Sequence, residues 1–202
     1  MTHHVSILVF DDVEALDFAG PYEVFTTASR VHGRSHPVEP PLFTTKCIAA
    51  SADKIRARAG LSINPDGTFA DATTTTDVLI VPGGVVDAAM ACAQTLAWIA
   101  ATAATATTVA SVCTGAFLLA RSGVLTHGPV TTHWEDVEDL QRMFPALQVQ
   151  TGKRWVGQGR ITTSAGISAG IDMCLHLVAT LAGHDLAVRT ARQMDYAWQP
   201  QP

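Results

Sequence analysis

The segment Val109-Ala-Ser-Val-Cys113-Thr-Gly-Ala-Phe-Leu-Leu119 carries the most pointed chemistry in the chain. A β-branched run ends at Cys113, and a helix is expected to start within a residue or two. A tight strand-to-helix turn of this kind presents a nucleophile above the carboxyl end of a sheet. Gly115 removes the Cβ that would crowd the turn. The helix start offers partial positive charge and free amides, which favour thiolate over thiol, so the Cys113 pKa is expected to be depressed. Cys47, Cys92 and Cys174 fall inside strand or helix patterns and read as small buried residues.

Three other places supply partners for a thiol. Pro82-Gly83-Gly84 closes a buried strand, and an amide of Gly84 together with that of Thr114 would suit a developing negative charge. Asp17 stands at a helix start after a short loop. Either it complements the helix dipole, or it is a carboxyl group held near the nucleophile. The second role requires the first strand to lie centrally, beside the Cys113 strand. His133, in Thr131-Thr-His-Trp134, reads equally as a base for Cys113 or as a structural hydrogen bonder. His176 and His184 read as structural.

The elements that must position these groups alternate. Val5–Phe10 is a short apolar run closed by Asp11-Asp12, and Leu16–Arg30 is helical in spacing, with Pro21 tolerable in the first turn. Residues 31–72 are rich in Pro and Gly, with a strand expected near Leu42–Ile48 and a hairpin near Ile55–Ile63. Asp77–Val81 reads as a strand, Asp87–Ala104 as one Ala-rich helix, Thr107–Val112 as a buried strand and Gly115–Ser122 as a helix stopped by Gly123. A short strand at Val130–Thr132, an amphipathic helix over Trp134–Phe144 and a strand at Leu147–Gln150 follow. Arg154–Val156 faces Arg160–Thr163 across Gly157-Gln-Gly159 as a hairpin. Ala169–Ala182 and Leu186–Ala197 read as closing helices. Such alternation predicts an α/β fold, with a mostly parallel sheet covered by helices on both faces, in one domain over residues 1–202.

Composition narrows the classes. The chain has 202 residues, 48% hydrophobic and 15% charged, with a formal net charge of -5. This excludes disorder and leaves ample core without staples. Its 13 Lys+Arg are scattered, which argues against a nucleic-acid or anionic-membrane partner. No run of about 18 apolar residues suggests a membrane span. The N-terminus lacks a basic region and a cleavage site, so a cytoplasmic location is expected. The four cysteines show no CxxC pair and the eight histidines no HExxH or HxH set, so no metal is expected.

Taken together, Leu16-Asp17-Phe-Ala-Gly-Pro21, Ile80-Val-Pro-Gly-Gly84, Ser111-Val-Cys-Thr-Gly115, Thr131-Thr-His-Trp134, Thr163-Ser-Ala-Gly-Ile-Ser-Ala-Gly-Ile-Asp172 and Ala191-Arg-Gln-Met-Asp-Tyr196 resemble the ThiJ/PfpI superfamily. That superfamily carries the flavodoxin-like, class I glutamine amidotransferase-like sandwich. Asp-x-x-Gly-Pro with Cys-Thr-Gly looks most like its isonitrile hydratase branch, whereas many other branches have Glu where this chain has Asp17. The resemblance implies that Cys113 is the nucleophile, Asp17 the acid/base and Thr114 the supporting hydroxyl or amide. Gly83, Gly115, His133 and Trp134 would give support, with no cofactor. It implies hydration of a small isocyanide to an N-substituted formamide by a homodimer. Two departures stand beside it. Ser164-Ala-Gly-Ile-Ser168 replaces the branch's Gly-Gly-Gly-Ile-Thr, and Thr163–Val178 also resembles the sensor domain of AraC-type regulators, whose DNA-binding domain would have no room before Pro202. The alternatives are therefore a glyoxalase-, amidase- or protease-like activity using His133, or a redox-sensing or ligand-binding module.

Overall fold

The computed structural model describes residues 1–71 and 75–202. Ala72, the end of the weakly patterned stretch, lies outside the described residues. In chain order the elements are β1 (His3–Leu8), α1 (Ala15–Gly33), β2 (Phe43–Ala49), β3 (Ile55–Arg56), β4 (Ser62–Ile63), β5 (Gly67–Thr68), β6 (Val78–Val81), α2 (Asp87–Ala91), α3 (Ala93–Thr105), β7 (Thr108–Val112), α4 (Gly115–Arg121), β8 (Gly128–Val130), α5 (Val137–Met143), β9 (Leu147–Val149), β10 (Trp155–Gln158), β11 (Ile161–Ser164), α6 (Ala169–Ala182) and α7 (His184–Gln193).

Seven strands form one sheet in the order β10-β11-β7-β6-β1-β2-β5, parallel except for the β10–β11 hairpin. Every residue of β6 is buried, as expected for a strand whose two faces are both covered. One core packs α1, α6 and α7 residues such as Phe25, Leu175 and Ala187 against Val5, Ile7 and Ile80. The other packs Ile99, Leu118 and Leu119 against Leu8, Leu79 and Val81. Alternate residues of the same strands thus feed opposite cores, the period-2 consequence of the pleat.

Several expectations are corrected. The helix expected over Asp87–Ala104 is two helices, broken at Cys92 with extended backbone (φ -84°, ψ 104°). The buried residues of α3 are Thr95, Ile99 and Ala103, one helical stripe with which Ala89 of α2 is out of phase. A continuous helix could not bury both. Cys92 is consequently part-exposed. Thr131 and Thr132 leave the strand pattern because their polar groups are spent elsewhere. Thr131 N–H donates to Thr163 Oγ1 (2.8 Å), Thr131 Oγ1 to the Gln150 carbonyl (2.9 Å) and Thr132 Oγ1 to the Cys113 carbonyl (2.9 Å). The helix expected from Trp134 begins as a 3₁₀ turn over Trp134–Asp136 and becomes α-helical only at Val137. The last helix stops at Gln193, earlier than Ala197.

Candidate active site

The carboxyl ends of β1, β6 and β7 open on one side of the sheet, where ligand sites of open α/β folds gather. Cys113 directly follows β7 with φ 56°, a left-handed conformation that costs a non-glycine residue of order 1–3 kcal/mol unless its surroundings impose it. Here both peptide groups of Cys113 are held. Its N–H donates to the carbonyls of Ser164 and Ala165 (3.2 and 3.3 Å), and its carbonyl accepts from Thr132. Helix α4 follows within two residues. A Cβ on Gly115 would stand 2.0 Å from the Val81 carbonyl oxygen, so glycine is what lets this helix start so close to β6. The elbow expected from the sequence is present.

Asp17 is wholly buried in the first turn of α1. Strand β6 lies between β1 and β7, so the required adjacency of the first strand to the Cys113 strand is not met. The carboxyl group instead reaches across the end of β6. Its Oδ2 accepts from the Gly83 N–H (3.1 Å), while Oδ1 has no hydrogen-bond partner of normal geometry. A Cβ at Gly83 would lie 2.5 Å from Thr114 Oγ1, 2.6 Å from Thr114 N and 3.0 Å from Asp17 Oδ2. This glycine keeps Asp17 and Thr114 in contact range.

The roles of the amides differ from expectation. Gly84 N–H donates to Thr114 Oγ1 (2.9 Å), and Thr114 Oγ1 donates to the Gly84 carbonyl (2.9 Å). Gly84 therefore has no amide to spare for a ligand, and the Thr114 hydroxyl serves to clasp the Pro82–Gly84 turn to the elbow. Among the described residues the Thr114 N–H meets no protein oxygen. It stays beside the sulfur, where it favours the thiolate.

The electrostatics reverse one further expectation. The Cys113 thiol is pushed up to about 12, first by burial and then by the negative charge of Asp17, with Asp136 adding to both. The Thr114 amide and hydroxyl pull the other way and are outweighed. Burial likewise raises Asp17 to about 7, against the lowering effect of the Gly83 N–H. The charge of Glu14 raises Asp17 further and a hydrogen bond from the Cys113 thiol lowers it, so Asp17 holds the proton on the thiol while its own carboxyl titrates near neutrality. Cys92, by contrast, is lowered by hydrogen bonding to Thr95. The expected labelling order is thus Cys92 before Cys113. Peptide mass spectrometry after brief iodoacetamide treatment at pH 6 should find Cys92 alkylated and Cys113 largely intact, with Cys113 labelling rising steeply above pH 8. Preferential labelling of Cys113 at pH 6 would show a thiolate that burial does not suppress.

A cavity of about 370 Å³ lies over the thiol. Cys113, Thr114, Gly84 and His133 line it, with Phe117 and Met90 on an apolar wall. His133 is in the cavity wall but is engaged. Its Nδ1 lies 3.4 Å from the Glu135 amide nitrogen and 3.4 Å from Asp136 Oδ2. Neutral, it accepts from the amide; protonated, it pairs with the carboxylate. The charges felt at the sulfur are those of Asp17 and Asp136. Trp134 is 75% exposed and does not line this cavity; its ring lies tilted beside that of His133, centroids 5.6 Å apart. Glu14, Arg58 and Ile167 also reach the cavity from loops whose destination the sequence does not signal. Thr132 was signalled only as part of a strand. Among the described residues no group of three His, Cys, Asp or Glu side chains could hold a metal ion.

Residues 3–180 match the DJ-1/PfpI family. An isonitrile hydratase of Pseudomonas putida is 36% identical over 201 residues, covering 99% of this chain and 81% of that protein. The transcriptional regulator GbdR of Pseudomonas aeruginosa is 28% identical over 193 residues, of which the chain spans 50%. Among solved structures, a ThiJ/PfpI family protein from Pseudomonas syringae superposes with TM-score 0.84 at 30% identity, over 99% of this chain and 77% of that one. DJ-1beta of Drosophila melanogaster superposes with TM-score 0.82 at 17% identity, over 98% and 100% of the two chains.

Proposed function

The chain belongs to the DJ-1/PfpI family, and on that footing we propose that it hydrates a small isocyanide to an N-substituted formamide in one domain spanning residues 1–202, with Cys113 as nucleophile and Asp17 as proton carrier. The observation that carries this reading is the buried Asp17 carboxyl. It titrates near neutrality beside the thiol and keeps one oxygen unpartnered. General acid–base groups work best with a pKa close to the working pH.

The steps close in atoms and charge. Asp17 carboxylate takes the Cys113 proton as sulfur adds to the electrophilic isocyanide carbon, and the resulting carboxylic acid delivers that proton to the same carbon. The product is a thioimidate, Cys113-S–CH=N–R. Asp17, again a carboxylate, takes a proton from water as its oxygen adds to the thioimidate carbon and passes that proton to the nitrogen, giving Cys113-S–CH(OH)–NH–R. The tetrahedral adduct expels the thiol and leaves O=CH–NH–R. The Thr114 N–H lies where it would stabilise charge on sulfur, and Gly84 acts through its hydrogen bonds to Thr114. A thiol that stays protonated until Asp17 removes its proton suits this sequence better than a free thiolate. No metal or organic cofactor enters it.

The reaction form is Asp17 ionised with Cys113 protonated, so kcat/KM should rise through pH about 7, and Asp17→Asn should remove that limb. The direct test is formamide production from an alkyl isocyanide, followed by proton NMR for wild type and Cys113→Ala. Turnover that disappears in Cys113→Ala supports the proposal. Saturable isocyanide binding without turnover would instead favour a ligand-binding module, a second reading supported by the similarity to GbdR. His133→Ala should lose far less activity than Asp17→Asn. The reverse order, or turnover of methylglyoxal, would move the chain to a His-dependent activity.

The proposed partner is a small molecule alone, with no nucleic acid and no membrane surface. The net charge of -5 opposes phosphate binding, and no described helix is long and apolar enough to cross a membrane. A cytoplasmic homodimer is proposed from the sequence reading and the family resemblance.

A further inference from the structure

The wall of the cavity over Cys113 is one-sided in charge. Glu14, Asp87, Glu135, Asp136 and Asp139 face it against one guanidinium, that of Arg58, and the imidazole of His133, whose Nδ1 lies 3.4 Å from Asp136 Oδ2 and 3.7 Å from Glu135 Oε2. The guanidinium is already answered, since Arg58 Nη1 lies 3.7 Å from Glu14 Oε2. Asp139 pairs with Arg142 outside the cavity, and both side chains are largely exposed. Asp87 has no salt-bridge partner among the described residues. Behind the cavity surface, the wholly buried Asp17 carboxyl acts on the Cys113 thiol and leaves Oδ1 without a partner of normal geometry, so the wall carboxylates flank a formed reaction site and not a merely solvated patch. The remaining wall is apolar, from Val86, Met90 and Phe117.

We propose that this cavity selects substrates by charge, accepting an apolar body that carries a positive group distal to the reacting carbon and rejecting carboxylate- or phosphate-bearing molecules. For the substrate class, an isocyanide with an ammonium substituent, the inference rests on the hydration reading; the charge preference of the cavity does not. The fields support it. Asp136 is raised by burial first, and Glu135 and Asp139 raise it further against the lowering effect of His133. Added negative charge is therefore opposed here, and a cation relieves the crowding. Several unit charges within about 10 Å of a partly buried site act together with little screening at ordinary salt.

Thiosulfonate reagents test the charge preference without assuming any enzymatic activity. The Cys113 thiolate displaces methanesulfinate from a methanethiosulfonate and gains the reagent's thioalkyl group as a disulfide. Rates at Cys113, read by peptide mass at pH 8, are measured with reagents ending in trimethylammonium, methyl or sulfonate, each divided by its rate with free cysteine. The cationic reagent should exceed the anionic one by at least about tenfold, and the ratio should shrink toward one in 1 M salt, where the Debye length is about 3 Å. Asp87→Asn/Glu135→Gln should cut the ratio at least about threefold. An anionic reagent as fast as the cationic one, or a ratio indifferent to salt and to the double variant, overturns the proposal. A second arm compares kcat/KM for an ammonium-bearing and a carboxylate-bearing isocyanide. If the thiosulfonate order holds while neither isocyanide turns over, hydration fails and charge selection stands. If both turn over equally, charge selection fails and hydration stands.

Discussion

Asp17→Asn should lose about 100- to 10,000-fold in isocyanide turnover, the usual weight of a general acid–base group, while folding more stably than wild type at pH 8. The sign follows from linkage. Burial raises the Asp17 carboxyl from 3.8 to about 7 in the folded chain. The folded state therefore binds the proton more tightly than the unfolded state does. Its contribution is fully present below pH about 4 and is lost as pH rises through the window up to about 7. A shift of this size amounts to at most ~4 kcal/mol of destabilisation above that window. Asn can accept the Gly83 N–H as Asp17 Oδ2 does and carries no charge to desolvate. Thermal unfolding at pH 8 should show a raised Tm for the variant, and at pH 4 the difference should close. The same substitution removes the negative charge that helps hold the thiol protonated, so Cys113 should alkylate faster above pH 7 in a protein that no longer turns over. A variant that is less stable at pH 8, or whose thiol becomes harder to alkylate, would contradict the electrostatic account of the pair.

Gly115→Ala should be among the most damaging single methyl groups in the site. Its Cβ would meet the Val81 carbonyl oxygen at 2.0 Å and the Pro82 carbonyl carbon at 3.0 Å. These are backbone atoms at the end of a buried strand, so no side-chain rotation relieves the clash. Overpacking of a core costs typically 1–3 kcal/mol, and this contact places the substitution at the upper end, about 3 kcal/mol, or a Tm lowered by about 6–12 °C in a chain of this size. Activity should fall with it, because α4 must move off the end of β6 and carry the Thr114 amide away from the sulfur. Gly33→Ala is the control. Nothing stands within 4 Å of its added Cβ, and it should leave both Tm and turnover close to wild type. Equal effects of the two substitutions would show that the elbow tolerates displacement.

The elbow was legible because it is local. A β-branched strand, a cysteine and a Thr-Gly helix start follow one another within a few residues, and sterics alone dictate the turn. The alternation of strands and helices was legible for the same reason, and it carried the mostly parallel sheet with it. What the sequence did not disclose depends on groups distant along the chain. The direction of the Cys113 shift is set by burial and by Asp17, nearly a hundred positions away, whereas the helix-start argument sees only the neighbouring amides. Gly84 was a reasonable amide donor until Thr114 Oγ1, thirty residues on, took its N–H. The break at Cys92 reflects two buried surfaces out of helical phase, which an Ala-rich pattern cannot reveal. The acidic wall of the cavity is assembled from the loop after β1 and from the starts of α2 and α5, with no shared motif.

One measurement bears most directly on the central claim, that Cys113 adds to an isocyanide carbon with Asp17 carrying the proton. Wild type is mixed with an alkyl isocyanide at pH 8, quenched over a time course, and the peptide containing Cys113 is weighed while the formamide is quantified. The expected result is a transient mass gain on Cys113 equal to the whole isocyanide, with nothing lost, decaying as N-alkylformamide accumulates. Formamide produced at an undiminished rate by Cys113→Ala, or no adduct and no formamide in wild type, would contradict it.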